Sequence, residues 1–328
     1  MKNIKIGLLF KKRGNYVLQE KFAGKENVKD GTGEEVEHHK QALLGAGFEV
    51  EVIPWGFDFI SRLEHAEVDL IFNVSSRVEA SILEELGIPF VGSSTSGIAL
   101  SADKSMAKRL WLTANLPTSE FRVLQNVADC QSFISNPPIP YPLFTKPVAG
   151  RGSAGITNDS IIKNGGQLLK NVRNLLETIG QPVLVERYLD GREITIGLIG
   201  NAEKVRALPP LEIVPQGSDK FLTFDKKRSY DSNFICPASI SEAENEKLKS
   251  IAVQAFKTLG LRDYARIDTK LTSSGFMILE SNTFAGLMCT PKEKPRSYIG
   301  FMARAEGLGS TELIQEIIEA AMERVNHQ

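Results

Sequence analysis

Tyr264-Ala265-Arg266-Ile267-Asp268-Thr269-Lys270-Leu271, a turn Thr272-Ser273-Ser274-Gly275, and Phe276-Met277-Ile278-Leu279-Glu280-Ser281-Asn282-Thr283 read as a β-hairpin whose polar residues stand where a buried sheet carries apolar ones. Glu280 and Asn282 are two apart on a strand, so their side chains leave the same face. Asp268 lies twelve residues before Glu280, across a glycine-containing turn, which brings it near them. Two carboxylates and an amide oxygen are hard ligands suited to Mg²⁺, an ion usually held by a few carboxylates together with substrate phosphates. Arg266 points the same way as Asp268 and is placed to meet phosphate oxygens. A solvated face is the plainer reading of any lone Asp or Glu. Four polar groups interrupting one apolar strand pair argue against it here. The hairpin points to a protein that handles a nucleotide.

At 328 residues the chain is too long for one ordinary core and predicts two or three domains. Hydrophobic content of 42% and charged content of 24% are those of a soluble globular protein. A net charge of −1, from 39 basic and 40 acidic residues, leaves no overall footprint for nucleic acid or an anionic membrane. The apolar run within Met1 to Phe10 is too short for a signal peptide and reads as a first strand. No window approaches the roughly 18 uninterrupted apolar residues of a membrane span. Cys130, Cys236 and Cys289 are scattered and without metal spacing, which fits a reducing cytoplasm. With four histidines, two of them adjacent at His38-His39, a His-based metal site is not expected.

Strand and helix alternate at the start: a strand over 4–10, a helix over 34–46 closed by Gly47, a strand over 48–53 ended by Pro54, a strand over 68–74, and a helix over 79–86 ending at Gly87. That order predicts a parallel sheet covered by helices. Residues 11–33 form a long Lys-, Gly- and Asn-rich connection. A small-residue loop over 88–97 leads into a helix over 102–114 with Lys104, Lys108 and Arg109 near its start. Cations there oppose the helix dipole. Only Lys104 is assigned a role; the others read as a solvated face. Leu143 to Pro147 is a strand carrying Lys146, and Val148 to Ile156 follows as a glycine-rich loop whose backbone N–H groups suit a lid closing on phosphates. It is neither a P-loop nor a dinucleotide fingerprint. A helix over 167–178, a strand over 182–189, a strand from Arg192, and helices over 241–259 and 310–325 complete the reading.

The recurring pieces are Ile88-Pro89-Phe90-Val91-Gly92-Ser93-Ser94, Ala99-Leu100-Ser101-Ala102-Asp103-Lys104, Lys146-Pro147, Glu186-Arg187-Tyr188-Leu189-Asp190-Gly191-Arg192-Glu193, Arg266-Ile267-Asp268, and Glu280-Ser281-Asn282-Thr283 before Gly286. In this order they resemble the ATP-grasp enzymes and, within them, the D-alanine–D-alanine ligase family. The likeness runs from about residue 67 to the C-terminus. It implies an α/β and α+β ATP-grasp fold: an N-terminal parallel α/β domain over 1–100, a small central lid subdomain over 101–190 and a C-terminal mixed-sheet catalytic domain over 191–328. ATP would lie between the sheets of the second and third. Lys104 and Lys146 would contact phosphates and the adenine side. Glu186 would accept from the adenine amino group, the backbone of Arg187, Tyr188 and Leu189 would hold the ring edge, and Glu193 would bind ribose hydroxyls. Asp268, Glu280 and Asn282 would hold two Mg²⁺ ions, with Mn²⁺ as a substitute. Arg266 and the backbone near Gly286 would stabilise an acyl phosphate and the tetrahedral centre that follows. The implied reaction joins a small-molecule carboxylate and an amine at the expense of ATP, and the implied assembly is a homodimer.

The substrate half departs from the family. Phe10-Lys11-Lys12-Arg13-Gly14 replaces a glycine-rich segment carrying a glutamate, and the lid serine position falls on Gly152 with Ser153 beside it. A loop lysine falls on Lys226, but the tyrosine after it falls on Lys227. Asn73-Val74-Ser75-Ser76-Arg77-Val78-Glu79-Ala80 replaces a His-Gly-x-x-Gly-Glu-Asp-Gly stretch, and the residues receiving the second substrate's carboxylate fall near Pro291-Lys292. Arg77, Lys227 and Lys292 are offered as carboxylate-binding cations, against the competing reading that each is a surface cation. The leading expectation is a ligase with a different carboxylate–amine pair. The alternatives are an atypical D-alanine–D-alanine ligase and an ATP-binding protein without turnover.

Overall fold

The computed structural model describes residues 4–10, 32–56, 58–74, 77–150, 155–215, 233–291 and 294–326. The positions assigned to Gly152, Ser153, Lys226, Lys227 and Lys292, and residues 11–31 of the long connection, lie outside the described residues.

The chain opens with β1 (Lys5–Phe10), α1 (Thr32–Gly45), β2 (Glu49–Pro54), α2 (Phe59–His65), β3 (Leu70–Asn73), α3 (Arg77–Glu85) and β4 (Phe90–Val91). The strands form a parallel sheet in the order β2-β1-β3-β4. Near-continuous apolar runs suit strands covered on both faces, and alternate residues divide between two cores. Ile6, Leu8 and Phe72 face a cluster with Val36 and Leu43 of α1, whereas Leu9 and Ile71 face Phe59 of α2 and Leu83 of α3. The parallel sheet read from the sequence is therefore present.

The helix expected over 102–114 is present as α5 (Lys104–Thr113), and a further helix, α4 (Thr95–Ala102), precedes it where the sequence read as a small-residue loop. Asp103 separates them because its carboxylate Oδ1 accepts from the N–H groups of Ser105 and Met106, at 2.9 and 3.0 Å, and so caps α5. The N–H of Lys104 in turn donates to the carbonyl of Val148 at 3.0 Å, fixing the start of α5 against the exit of the next sheet.

That sheet comprises β5 (Phe121–Leu124), β6 (Leu143–Pro147), β7 (Ile161–Ile162) and β8 (Val183–Arg187), antiparallel in the order β5-β8-β6-β7. It buries one face against α6 (Val127–Ser135) and α7 (Gly165–Ile179), which supply Cys130, Phe133, Leu168, Val172 and Leu175. Asn126 and Asn164 cap the two helices, and Gly180 at φ 69° closes the second.

The remaining sheet runs β12-β11-β9-β13-β14, with β10 paired to β9. Its strands are β9 (Arg192–Gly200), β10 (Arg206–Ala207), β11 (Leu211–Val214), β12 (Asn233–Ile235), β13 (Asp263–Thr272) and β14 (Gly275–Asn282). All its ladders are antiparallel, and an isolated parallel bridge joins Thr118 to Ile278. Ile194, Ile196, Leu198, Ala265 and Ile267 pack on α8 (Glu242–Thr258) and on Trp111 of α5. Behind the opposite face, α9 (Tyr298–Ala305) and α10 (Ser310–Asn326) share a core with β1 and α1. The first and last parts of the chain are thus one packed unit. Asp263 ties them at the start of β13: it is fully buried at φ 64° and accepts from Gly92 N–H, Asn201 and the guanidinium of Arg324.

Candidate active site

Strand register builds the first half of the site. Along β13, Arg266 stands opposite Asn282 and Asp268 opposite Glu280; toward β9, Asp268 faces Thr195 and Lys270 faces Glu193. Directly opposed residues share a face, so these seven side chains leave one face of the sheet. The pairing slips by one residue after Asp268, leaving Leu279 as the extra residue of β14.

Arg266 and Asp268 are both buried and form a fork: Arg266 Nε and Nη2 donate to Asp268 Oδ1 and Oδ2 at 2.7 and 2.8 Å. Thr195 Oγ1 adds a third hydrogen bond to Oδ1 at 2.5 Å. Burial works to lower the arginine's pKa, but the Asp268 charge and these bonds outweigh it and raise it further. The guanidinium also lies 4.8 Å from the Tyr298 ring centroid. Glu280 is partly exposed and Asn282 accepts from the N–H of Phe284 at 3.2 Å. Among the described residues no three His, Cys, Asp or Glu side chains gather into a metal cage. Two carboxylates and an amide on one face instead suit an ion that completes its shell with phosphate oxygens and water.

Lysines supply the second half. Lys104, the first residue of α5, is buried; its ammonium donates to the carbonyl of Gly150 at 3.1 Å and lies 3.8 Å from Glu280. Lys146 on β6 and Lys108 on α5 each hold Glu186 of β8 at 2.8 Å. Ser119 donates to the same carboxylate at 2.6 Å, and Lys108 also donates to Thr118 and Ser119. Burial would raise the Glu186 pKa, yet the charges and hydrogen bonds of Lys108 and Lys146 overcome it and hold it at about 2. Thr118 Oγ1 donates a hydrogen bond to the carbonyl of Ile278 at 2.8 Å, which couples the lysine cluster to the strand bearing Glu280.

Residues 110–319 match the family profile described as the D-ala D-ala ligase C-terminus. The D-alanine–D-alanine ligase of Desulfotalea psychrophila is 33% identical over 249 residues, covering 74% of this chain and 73% of that protein. The chain belongs to the D-alanine–D-alanine ligase family. Its counterpart in Cupriavidus metallidurans is 29% identical over 85% of this chain and 84% of the relative. The fold superposes on a crystal structure of D-alanine–D-alanine ligase from Bacillus anthracis complexed with ATP, with a TM-score of 0.75, 18% identity and 99% of both chains covered. Membership places the chain among the ATP-grasp carbon–nitrogen ligases, as the motif order had suggested.

Asp268, Glu280, Asn282 and Arg266 leave one face of the sheet, Lys104 lies 3.8 Å from Glu280, and the charges of Glu280 and Asp268 act on the Lys146 ammonium. The carboxylate of Glu186, expected to face an adenine amino group, is engaged by two lysines and a serine. The N–H groups of Arg187 and Tyr188 are taken by the carbonyls of Glu120 and Pro142, so neither is open to a ring edge as the resemblance implied. Glu193 lies two residues before Thr195 on the same face. Gly286 follows in the loop after β14, where a Cβ would approach that of Ser297 to 3.1 Å. Arg77 opens α3 with an exposed side chain and makes no ion pair among the described residues.

Lys108 corrects the sequence reading. It was assigned to a solvated face but is fully buried, whereas Arg109 is exposed. The available signal was its spacing: four residues after Lys104, it stacks on the same helix face. Ser119, Thr118 and Thr195 carried no signal, because each works through a partner remote in sequence.

Proposed function

We propose that the cleft binds Mg-ATP and joins a small carboxylate to an amine, with D-alanine as the first substrate for both positions. The observation that carries the reading is the opposition of Asp268 and Glu280 across one sheet while Lys104 reaches Glu280 from another layer. Relatives matched over most of their length carry the D-alanine–D-alanine activity in their names, which favours that substrate over the re-specified pair put first on sequence grounds. The departures around Asn73 and Arg77 are then local variations in an atypical ligase of the family.

A carboxylate is a poor acyl donor. Its oxygen attacks the γ-phosphorus of ATP, the bond to the β-phosphate oxygen breaks, and ADP leaves with that electron pair. The amine then attacks the acyl phosphate, loses a proton, and phosphate departs to give the amide. Asp268, Glu280 and Asn282 would hold Mg²⁺, which would supply charge neutralisation at the phosphates. Lys104 and Lys146 meet phosphate oxygens with ammonium donors, and catalysis is mostly positioning and electrostatic stabilisation. Glu186 and Lys108 act one step back, holding the Lys146 ammonium in one place. Arg266, kept rigid by its fork on Asp268, retains N–H donors for developing negative charge. Three free thiols, two of them buried, suit a reducing compartment, and among the described residues no helix is long and apolar enough to cross a membrane.

The test is ADP release with Mg-ATP across D- and L-amino acids, singly and in pairs, with mass spectrometry of products. D-alanine turning over to its dipeptide supports the proposal. Turnover with another pair alone restores the re-specified reading, and Mg-ATP binding without turnover on any pair points to a non-catalytic protein.

A further inference from the structure

The fork on Asp268 engages two of the five N–H groups of Arg266 and fixes the guanidinium within the plane of that carboxylate. It does not stop the plane from rocking about the line of those two bonds. What remains to be held is the face of the group. Tyr298, the first residue of α9, stands there: its ring centroid lies 4.8 Å from the guanidinium, and the residue is 6% exposed.

Two glycines bring the ring to that place. Gly197 of β9 stands directly opposite Arg266, so the neighbouring position on that face carries no side chain. Helix α9 fills the gap: a Cβ on Gly197 would meet Leu208 Cδ1 at 2.9 Å and Met302 Sδ at 3.2 Å. Gly300 lets the same helix close on the loop after β14, where a Cβ would meet the Met288 carbonyl oxygen at 2.1 Å. Ser297 caps the helix, accepting from the Gly300 N–H at 2.9 Å and donating to the Met288 carbonyl at 3.0 Å. Phe234 of β12 then packs on the Tyr298 ring at 5.5 Å between centroids, and Phe301 packs on Phe234 at 4.8 Å. A core tyrosine is the plainer reading, since Tyr298 also belongs to the cluster that includes β1 and α1. A filler of that kind would act through stability alone. The guanidinium on its face sets this one apart.

We infer that Tyr298 is a positioning residue for the proposed reaction: its ring face holds the Arg266 guanidinium against rocking, so that its N–H donors stay aimed where negative charge develops. The inference rests on the proposed ligase reading and adds a residue that the reaction above does not use. A donor that swings loses most of its effect on a transition state, because preorganisation is what makes it effective.

The experiment measures kcat and KM for ADP release with Mg-ATP and D-alanine in wild type, Tyr298→Phe, Tyr298→Leu and Tyr298→Met. Far-UV circular dichroism and urea midpoints serve as folding controls, and two non-aromatic variants guard against one that fails to fold. Beside it, the Arg266 Nε–H resonance is followed by NMR, identified by its absence from Arg266→Lys. Leu and Met should lower kcat about tenfold with KM for ATP within twofold, whereas Phe, which keeps the ring, restores most of the rate. The Nε–H resonance should leave its ring-shifted position in Leu and Met and keep it in Phe. A kcat within twofold of wild type in a folded Leu or Met variant overturns the inference. So does a loss shared equally by Phe and Leu, a loss confined to KM, or an Nε–H resonance that Leu does not move. A wild-type protein that releases no ADP on any amino-acid pair removes the ligase reading itself, and the role of Tyr298 in turnover with it, a separate result from an unchanged variant.

Discussion

Replacing Glu186 by glutamine takes away the carboxylate that two buried ammonium groups share. Each contact is 2.8 Å long and all three side chains are nearly inaccessible. At an effective dielectric constant of about 20, each pair at that distance is worth roughly 6 kcal/mol of gross attraction, against several kcal/mol of desolvation per ion. The net expectation for Glu186→Gln is a loss of about 3–5 kcal/mol in unfolding free energy, because two buried cations are left facing each other. The pH dependence gives the same scale. The carboxyl falls from 4.5 to about 2 on folding. Its contribution is therefore complete above pH 4.5 and disappears as the pH drops toward 2, an effect of about 3 kcal/mol. Lys108→Met should cost less, since Glu186 and Lys146 remain as a neutral pair and burial already pushes the Lys108 pKa down. Adding Lys108→Met to Glu186→Gln should recover at least about 1 kcal/mol, the sign of coupled neighbours. Urea denaturation at pH 7 of the four proteins measures the cycle. A Glu186→Gln cost below about 1 kcal/mol, with no recovery in the double variant, would refute the shared-charge account.

Three further outcomes follow from the geometry. Asp268→Asn removes both a metal-ligand candidate and the partner of the Arg266 fork, so ADP release should fall by about 10²-fold or more. In wild type, EDTA should abolish it and Mg²⁺ or Mn²⁺ restore it, read in a coupled ADP assay. His38 is pushed down to about 4 from 6.5, first by burial and then by the neighbouring His39. The unfolded chain then binds the extra proton between those values, so stability falls as pH drops from 6.5 to 4, by up to about 3 kcal/mol. Melting curves of His38→Gln should be flatter than wild type over that window. Arg324→Met strands the buried Asp263 carboxylate and should cost about 3–5 kcal/mol in urea denaturation, with Asp263→Asn in the same background recovering part of it.

The hairpin from Tyr264 to Thr283 was legible because strand alternation is local: Arg266, Asp268, Glu280 and Asn282 had to share faces two by two, whatever surrounds them. The parallel first sheet was legible for the same reason, through apolar runs punctuated by Pro54, Gly47 and Gly87. Short elements such as α2, β5 and β10 were not, since a few residues carry too little period to stand out. The helix over Thr95–Ala102 was missed because its small residues read as a loop, while its cap at Ser94 is a local hydrogen bond to Gly97. The register of Asp268 against Glu280 needed the fold, because one extra residue at Leu279 shifts it. Lys108 and Lys270 show the limit most clearly. In sequence the first read as a solvated cation and the second carried no signal; burial of the first against Glu186 and the approach of the second to Tyr188 arise from strands and helices far apart in the chain. Local periodicity determined which side chains leave a face together. Only tertiary packing decided which of those faces water never reaches, and that is what turns a charged residue from a solvated one into part of a site.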